Sequence, residues 1–131
     1  MEKITKNWIQ WFIGFCDVKG NFKVFPKKRT NLVKNIEYYN IGYGFHLSLS
    51  IRDHELLQKI FINLNSLGKI YEYDNRQEVR LAITKLENLK WLIINIFENF
   101  SLLTKYQRER YSRLKYGVLN KFNRVESIEK Y

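Results

Sequence analysis

The sequence predicts an α+β fold, with helices and antiparallel strands in the order α-β-β-α-β-β-α-α. The spacing of apolar residues changes repeatedly along the chain between the helical period of about 3.6 and the strand period of about 2. The 131 residues are 45% hydrophobic and 16% aromatic, which suffices for one modest core. We therefore expect a single domain over residues 1–131, with its core at about 8–120 and a basic, polar tail at 121–131.

The first helix is expected at residues 5–17, with Thr5 or Asn7 as its N-cap. Apolar residues lie on nearly all of its sides, and such a helix is buried on more than one side. We expect one side to pack on the sheet and the other to face a second partner. The alternative is that a well-packed monomer, or another protein, covers this helix. The residues expected on the partner side are Trp8, Trp11, Phe12 and Phe15.

Two strands are expected next, at residues 21–28 and at Phe45–Ile51. Pro26 indicates an edge strand or a bend, because proline cannot donate a backbone hydrogen bond. Residues 26–31 are interpreted as an exposed basic connection, and residues 32–42 show no clear period. Strict alternation from Phe45 onwards predicts one core face and one polar face.

The second half of the chain is expected to contain a helix, a hairpin and two more helices. Asp53 is expected to cap the helix, which runs to Leu67 and ends at Gly68. The hairpin consists of residues 69–73 and 78–83, and the remaining helices of residues 85–99 and 105–122. The last helix is rich in arginine and lysine.

The charge predicts a polyanionic partner. The net charge is +10, which favours DNA, RNA or an anionic membrane. No apolar run is long enough to span a bilayer, and the start of the chain lacks the pattern of a signal peptide. A single cysteine, Cys16, indicates a reducing compartment. The abundance of Asn, Lys, Ile and Tyr is typical of proteins encoded by AT-rich genomes. We therefore expect an organellar protein, specifically a mitochondrial one, and otherwise an intracellular one. Its expected partner is nucleic acid and not a membrane.

The segment Phe12–Gly20 resembles the LAGLIDADG motif of homing endonucleases and intron maturases. Gly14, Asp17 and Gly20 stand where the motif has its first glycine, its first acid and its last glycine. Further segments that resemble family signatures follow in the family's order, at 67–71, 79–80 and 100–105. The resemblance implies an αββαββα fold with an extra C-terminal helix. It also implies a curved four-stranded antiparallel sheet, whose concave face lies on duplex DNA in the family.

Candidate nucleic-acid contacts follow from the polar positions of the predicted strands. Cations suit phosphates, hydroxyls and histidine suit phosphates or base edges, and aromatic rings suit stacking. A solvated face without a ligand is the alternative. The candidates on the strands and their basic connection are Asn21, Lys23, Phe25, Lys27, Lys28, Arg29, His46, Ser48, Ser50, Lys69, Tyr71, Tyr73 and Arg80, with Glu78 beside them. Lys105 and Arg108 are the candidates from the last helix.

Lys19 stands where the family has its second acid, the residue that holds a catalytic metal ion. An ammonium group cannot bind Mg²⁺, which needs oxygen ligands. The family's first acid, here Asp17, is structural, so we do not expect it to replace the missing ligand. Cys16, His46 and His54 do not have zinc-site spacing. We therefore expect no catalytic residue, no metal and no cofactor, and expect Lys19 to contact a phosphate instead.

The leading functional hypothesis is a protein that kept the scaffold, lost the nuclease and binds structured RNA. Organellar ribosomal RNA or intron RNA is the expected target, because maturases of the family do not need the metal centre for their RNA role. The second hypothesis is a homodimeric, Mg²⁺-dependent DNA homing endonuclease, active or recently decayed. The third is a partner-binding module that uses the apolar first helix.

Overall fold

A computed structural model gives the structure of the protein and describes residues 4–120. Within this range the α-helices are α1 (Lys6–Lys19), α2 (His54–Asn63), α3 (Leu86–Asn95) and α4 (Lys105–Asn120). The strands are β1 (Gly20–Asn31), β2 (Ile36–Ser50), β3 (Lys69–Tyr73) and β4 (Glu78–Ile83). They form one antiparallel sheet in the order β1-β2-β4-β3. The predicted α+β order is confirmed, and the expected tail at 121–131 lies outside the described residues.

The helices pack on one face of the sheet, and the other face is not covered by any of residues 4–120. Alternate strand residues such as Phe22, Phe45 and Leu81 are at most 2% exposed and form the core with the inner side of α1. The rings of Phe22, Phe45 and Phe97 lie 5.1–5.5 Å apart in tilted and edge-on arrangements, the geometries that aromatic pairs prefer. No helix among residues 4–120 is both long and apolar enough to cross a membrane.

The β1–β2 hairpin is longer than expected. Pairing runs from Gly20 opposite Leu47 to Asn31 opposite Ile36, so the expected basic connection and the unassigned segment form the distal half of the hairpin. The carboxamide oxygen of Asn31 accepts hydrogen bonds from the backbone N–H groups two and three residues later, both at 3.1 Å. This turn closes the hairpin by a side-chain hydrogen bond. Pro26 lies in an edge strand, as predicted.

Some helix ends differ from the predicted ones. α2 ends at Asn63 instead of Leu67, because Asn65 and Ser66 adopt positive φ values of 62° and 54° and turn the chain towards β3. Gly68 also has a positive φ, of 86°. α3 ends at Asn95 and continues as a short 3₁₀ turn over Phe97–Asn99. At the start of α1, Thr5 is the N-cap, since its hydroxyl accepts a 3.1 Å hydrogen bond from the N–H of Trp8.

Candidate nucleic-acid interface

The sheet face opposite the helices, named here the open face, gathers most of the predicted contact residues. The register aligns them in rows across the sheet. Asn21 lies opposite His46, and the row continues through Ala82 to Lys69. The rows on either side of it bring further candidates to the same face. Predicted residues on the open face are Asn21, Lys23, Phe25, Lys27, Arg29, His46, Ser48, Ser50, Lys69, Tyr71, Tyr73, Glu78 and Arg80.

The distal hairpin adds residues to the open face that were not predicted, and it places Lys28 on the other side of the sheet. Tyr38 and Asn40 lie opposite Arg29 and Lys27 on the open face. The period-2 pattern that would have revealed them is interrupted by two glycines at 42 and 44. Lys28, a candidate from the expected basic connection, belongs to β1 and lies on the side opposite the open face. Its ammonium group is 3.1 Å from the carboxylate of Glu37.

Arg80 is held in a defined position on the open face. Its Nε donates to the hydroxyl of Ser48 at 3.0 Å, and its Nη2 donates to the carboxylate of Glu78 at 3.2 Å. The guanidinium also lies 5.3 Å from the centre of the Tyr73 ring. Because Glu78 offsets part of its charge, this arginine is oriented by the protein and carries less unpaired charge than the lysines around it.

His46 lies at the floor of the open face and is uncharged at neutral pH. Its Nδ1 is buried and has no hydrogen-bond partner among residues 4–120. Burial, followed by the nearby charges of Lys23 and Arg80, lowers the pKa of His46 to about 4. A neutral imidazole offers one donor and one acceptor. This side chain therefore suits a base edge or a hydroxyl better than a phosphate.

A cation and an aromatic ring are paired farther along β1. A Cβ atom at Gly42 would collide with the side chains of Phe25 and Lys27, so the absence of a side chain there lets both lie across β2. The Nζ of Lys27 is 5.7 Å from the centre of the Phe25 ring. Such a pair offers a ring for stacking and a charge for a phosphate.

The end of α1 is tied to the start of α4 by a set of hydrogen bonds that we name the α1–α4 clamp. The carboxylate of Asp17 accepts from the N–H groups of Leu103 and Thr104, all at 3.0 Å. In return, the buried Nε2 of Gln107 donates to the carbonyl of Gly20 at 2.8 Å and to that of Cys16 at 3.1 Å. Asp17 is thus occupied by a structural role, and the contribution of Gln107 had no signal in the sequence.

The tight join between α1 and β1 also explains Gly20. Gly20 has a φ of −71°, which any residue can adopt. A Cβ atom there would lie 2.8 Å from the carbonyl oxygen of Cys16. Glycine is therefore required by lack of space and not by backbone conformation.

Lys19 is the last residue of α1 and is exposed to solvent. No acid among residues 4–120 forms an ion pair with it. A cation at the C-terminal end of a helix is favoured by the helix dipole. The same part of the chain contains no cluster of three or more His, Cys, Asp or Glu side chains that could hold a metal ion. With an ammonium group at position 19 and Asp17 occupied, the residues here do not fit a divalent cation.

Lys105 and Arg108 are not brought to the open face. Both belong to α4, which packs on the helix side of the sheet, with Gly117 against the ring of Tyr43. Arg108 donates to the carbonyls of residues 102 and 103 at 3.2 and 2.6 Å. Lys105 lies 4.0 Å from the carboxylate of Glu109. These two candidates from the last helix therefore lie apart from the strand residues, and their contact with nucleic acid stays a prediction.

The outward side of α1 is uncovered by residues 4–120. Trp11 is 45% exposed and Val18 is 79% exposed. A Cβ atom at Gly14 would meet nothing within 4 Å. Phe12, expected on this side, is instead fully buried, and Trp8 stacks on it with ring centres 5.0 Å apart. The uncovered stripe therefore consists of Trp11, Gly14, Val18 and the half-buried Phe15.

Known proteins resemble this chain in sequence. The LAGLIDADG endonuclease family profile matches residues 12–116. The "Probable intron-encoded endonuclease 2" of Neurospora crassa is 28% identical over 118 residues, which are 88% of this chain and 23% of that protein. The "Probable intron-encoded endonuclease Cox1-I1b" of Schizosaccharomyces pombe is 30% identical over 124 residues, which are 95% of this chain and 30% of that protein. The chain thus spans less than a third of the length of these curated relatives.

Solved structures share the fold. The LAGLIDADG homing endonuclease I-GzeII, in complex with its DNA target, superposes with a TM-score of 0.72 at 25% identity, covering 85% of this chain and 36% of that one. The homing endonuclease I-TnaI superposes with a TM-score of 0.76 at 19% identity, covering 98% of this chain and 84% of that one.

Proposed function

Because the chain belongs to the LAGLIDADG endonuclease family, we propose that it binds nucleic acid across its open face and does not itself perform metal-dependent cleavage. The observation that carries the proposal is the composition of that face. Cations, hydroxyls, a neutral histidine and aromatic rings lie on one side of a sheet whose other side packs against the helices. Such a surface offers phosphate contacts, base-edge contacts and stacking at once.

The inference against cleavage rests on Lys19. In the family this position belongs to an acid that holds a divalent cation over the scissile phosphate. The ammonium group repels that cation and attracts the phosphate directly. Asn21 and Lys23, which come shortly after Lys19 in the chain, lie on the open face, so we expect the charge of Lys19 to add to the phosphate contacts proposed for that face.

We propose structured RNA as the ligand, in the manner of an intron maturase or an organellar ribosomal protein. The support is chemical: shape and phosphate recognition of RNA needs neither a metal centre nor readout of a long duplex sequence. An organelle, and specifically the mitochondrion, is the proposed location. The relatives that are named intron-encoded endonucleases and the abundance of Asn, Lys, Ile and Tyr in this chain support this location. Fractionation of cells that express the tagged chain tests it.

Binding across the open face is tested by two neighbouring lysines on opposite sides of β1. Lys27 is on the open face, whereas Lys28 is on the helix side. We expect Lys27→Ala to weaken binding to a labelled RNA and to reduce the slope of log K against log salt by about 1. We expect Lys28→Ala, the matched control, to change neither quantity. Equal losses from both substitutions would show that charge alone, and not the open face, governs binding.

A DNA endonuclease is the second candidate, favoured by the relatives that are named endonucleases and by the DNA-bound homing endonuclease of the same fold. A cleavage assay with Mg²⁺ on DNA that carries candidate intron-insertion sites separates the two. We expect no cleavage by the wild-type protein. Cleavage by Lys19→Asp alone would indicate a decayed nuclease with intact DNA recognition. Cleavage by the purified wild-type protein, or tighter binding to duplex DNA than to structured RNA, would contradict the proposal.

The uncovered stripe on α1 supports a further element of the proposal, a partner on that helix. Trp11 and Val18 leave apolar surface in water, and Gly14 permits close approach of a second backbone. We propose a second copy of this chain, or a second repeat of a longer protein, at this place. Sedimentation of the wild-type protein and of Gly14→Glu tests the homodimer, since the added side chain would block the approach and leave a monomer.

A further inference from the structure

Arg110 of α4 links the helix side of the sheet to the open face. Its Nη2 donates to the backbone carbonyl of Phe22 at 2.9 Å and to the Oδ1 of Asn21 at 3.2 Å. Asn21 lies on the open face, and β1 is at the edge of the sheet, so the arginine side chain passes around that edge. A residue of α4 thus contacts directly an open-face residue that is predicted to bind nucleic acid.

Arg110 is held in this place by the packing of α4 on β1. The residue after it, Tyr111, packs its ring on that of the buried Phe22, with ring centres 5.5 Å apart. The α1–α4 clamp ties the same helix to the start of β1 one turn earlier. The guanidinium also lies 5.3 Å from the centre of the Tyr106 ring. Its place beside Asn21 is therefore set before a ligand binds, which favours a role in preorganising that side chain.

The hydrogen bond fixes which end of the Asn21 carboxamide faces a ligand. Arginine has donors and no acceptor, so the atom that meets Arg110 must be the carboxamide oxygen. The Nδ2 of Asn21 has no hydrogen-bond partner among residues 4–120 and is not buried. Asn21 therefore presents two N–H donors to a ligand, while its acceptor is already engaged by the protein.

This orientation distinguishes between base edges. An unconstrained asparagine pairs with adenine, because its oxygen accepts from N6 and its nitrogen donates to N7. For Asn21, the first of these bonds competes with Arg110. Two N–H donors instead suit an edge that carries carbonyl oxygen, such as O6 with N7 of guanine, or O4 of thymine or uracil. Adenine and cytosine present an amino group at the same place, which offers no acceptor.

We propose that Arg110 is a positioning residue for base recognition, which holds the Asn21 carboxamide so that it favours guanine, thymine or uracil over adenine and cytosine. The inference rests on the proposed nucleic-acid binding across the open face and adds a base preference to it. Arg110 acts through Asn21, and its own contact with a base is not required.

The test selects ligands from a randomised RNA pool and a randomised duplex DNA pool with the wild-type protein and its variants. Asn21→Ala identifies the position that Asn21 recognises, because base preference is lost there. We expect the wild-type protein to favour guanine, thymine or uracil at that position by about 10-fold. Arg110→Met releases the carboxamide, so we expect this preference to disappear or to shift to adenine, with preferences at other positions unchanged.

Arg113→Met is the matched control, because it removes the same charge from an exposed position of α4 that does not contact Asn21. We expect it to leave every base preference unchanged, even if the lost charge weakens binding. Urea unfolding shows whether each variant is folded.

The outcomes separate this inference from the proposed function. If the wild-type protein retains no member of either pool, the proposed function fails and the inference fails with it. If the wild type binds but Asn21→Ala alters no base preference, or Arg110→Met keeps the wild-type preferences, only the role of Arg110 is overturned. A wild-type preference for adenine or cytosine at the Asn21 position would overturn it as well, whether or not Arg110→Met folds.

Discussion

Replacing Gln107 by leucine tests the α1–α4 clamp. Gln107 is 5% exposed, and its Nε2 satisfies the carbonyls of Gly20 and Cys16 at 2.8 and 3.1 Å. Gln107→Leu removes this donor from both carbonyls, although the Cys16 carbonyl keeps the N–H of Gly20 as a partner. A buried polar group that loses its partner costs about 1–3 kcal/mol. Part of this cost is offset, because the Oε1 of Gln107 is itself buried without a partner among residues 4–120. The expected net loss is about 1–3 kcal/mol of unfolding free energy.

The measurement is urea-induced unfolding followed by tryptophan fluorescence. For a domain of this size, such a loss lowers the melting temperature by about 3–12 °C, so thermal unfolding provides a second readout. Gln10→Leu is the matched control, because Gln10 lies on the exposed side of the same α1 helix. If Gln107→Leu is as stable as Gln10→Leu, the hydrogen bonds of the clamp do not stabilise the join between α1 and β1, and the reasoning is refuted.

Three further predictions use the same unfolding measurement. His46 takes up a proton near pH 6.5 in the unfolded chain and near 4 in the folded one, so stability falls as pH drops through this window. The partial exposure of His46 limits this loss of unfolding free energy to about 1–2 kcal/mol, and His46→Asn should abolish it. A variant whose stability depends on pH as the wild type's does would contradict this. Gly117→Ala places a methyl group against the Tyr43 ring and should cost about 1–3 kcal/mol, whereas wild-type stability would mean that α4 is less closely packed. Phe12→Ala should lower the unfolding free energy by about 3–5 kcal/mol, whereas Trp11→Ala, on the exposed side of α1, should lower it far less. A larger loss from Trp11→Ala than from Phe12→Ala would place Phe12 outside the core.

The fold and most of the open face could be predicted because both depend on local periodicity. In an antiparallel sheet, alternation fixes which residues share a face, so Asn21, His46 and Arg80 could be grouped before their register was known. No face could be predicted for Lys28, because it was assigned to an irregular connection. Once β1 is known to continue to Asn31, alternation alone places Lys28 on the other side.

Contacts between distant segments could not be predicted in the same way. Gln107 donates hydrogen bonds to the end of α1, which is 87 to 91 residues away in the sequence. The spacing of apolar residues does not predict which side chain makes a contact of this kind. The long hairpin was missed because Gly42 and Gly44 weaken the strand pattern. The burial of Phe12 was missed because α1 is apolar on nearly all sides, and composition does not distinguish its two faces.

The α1–α4 clamp has a consequence for how this protein can change over evolution. The clamp uses Asp17 and the carbonyls around Gly20 to fix the shape of the turn, while Lys19 between them projects into solvent and supports no packing. Selection can therefore exchange the side chain at position 19 at little cost to folding. In this scaffold, the gain or loss of a catalytic group is separable from the gain or loss of the native state.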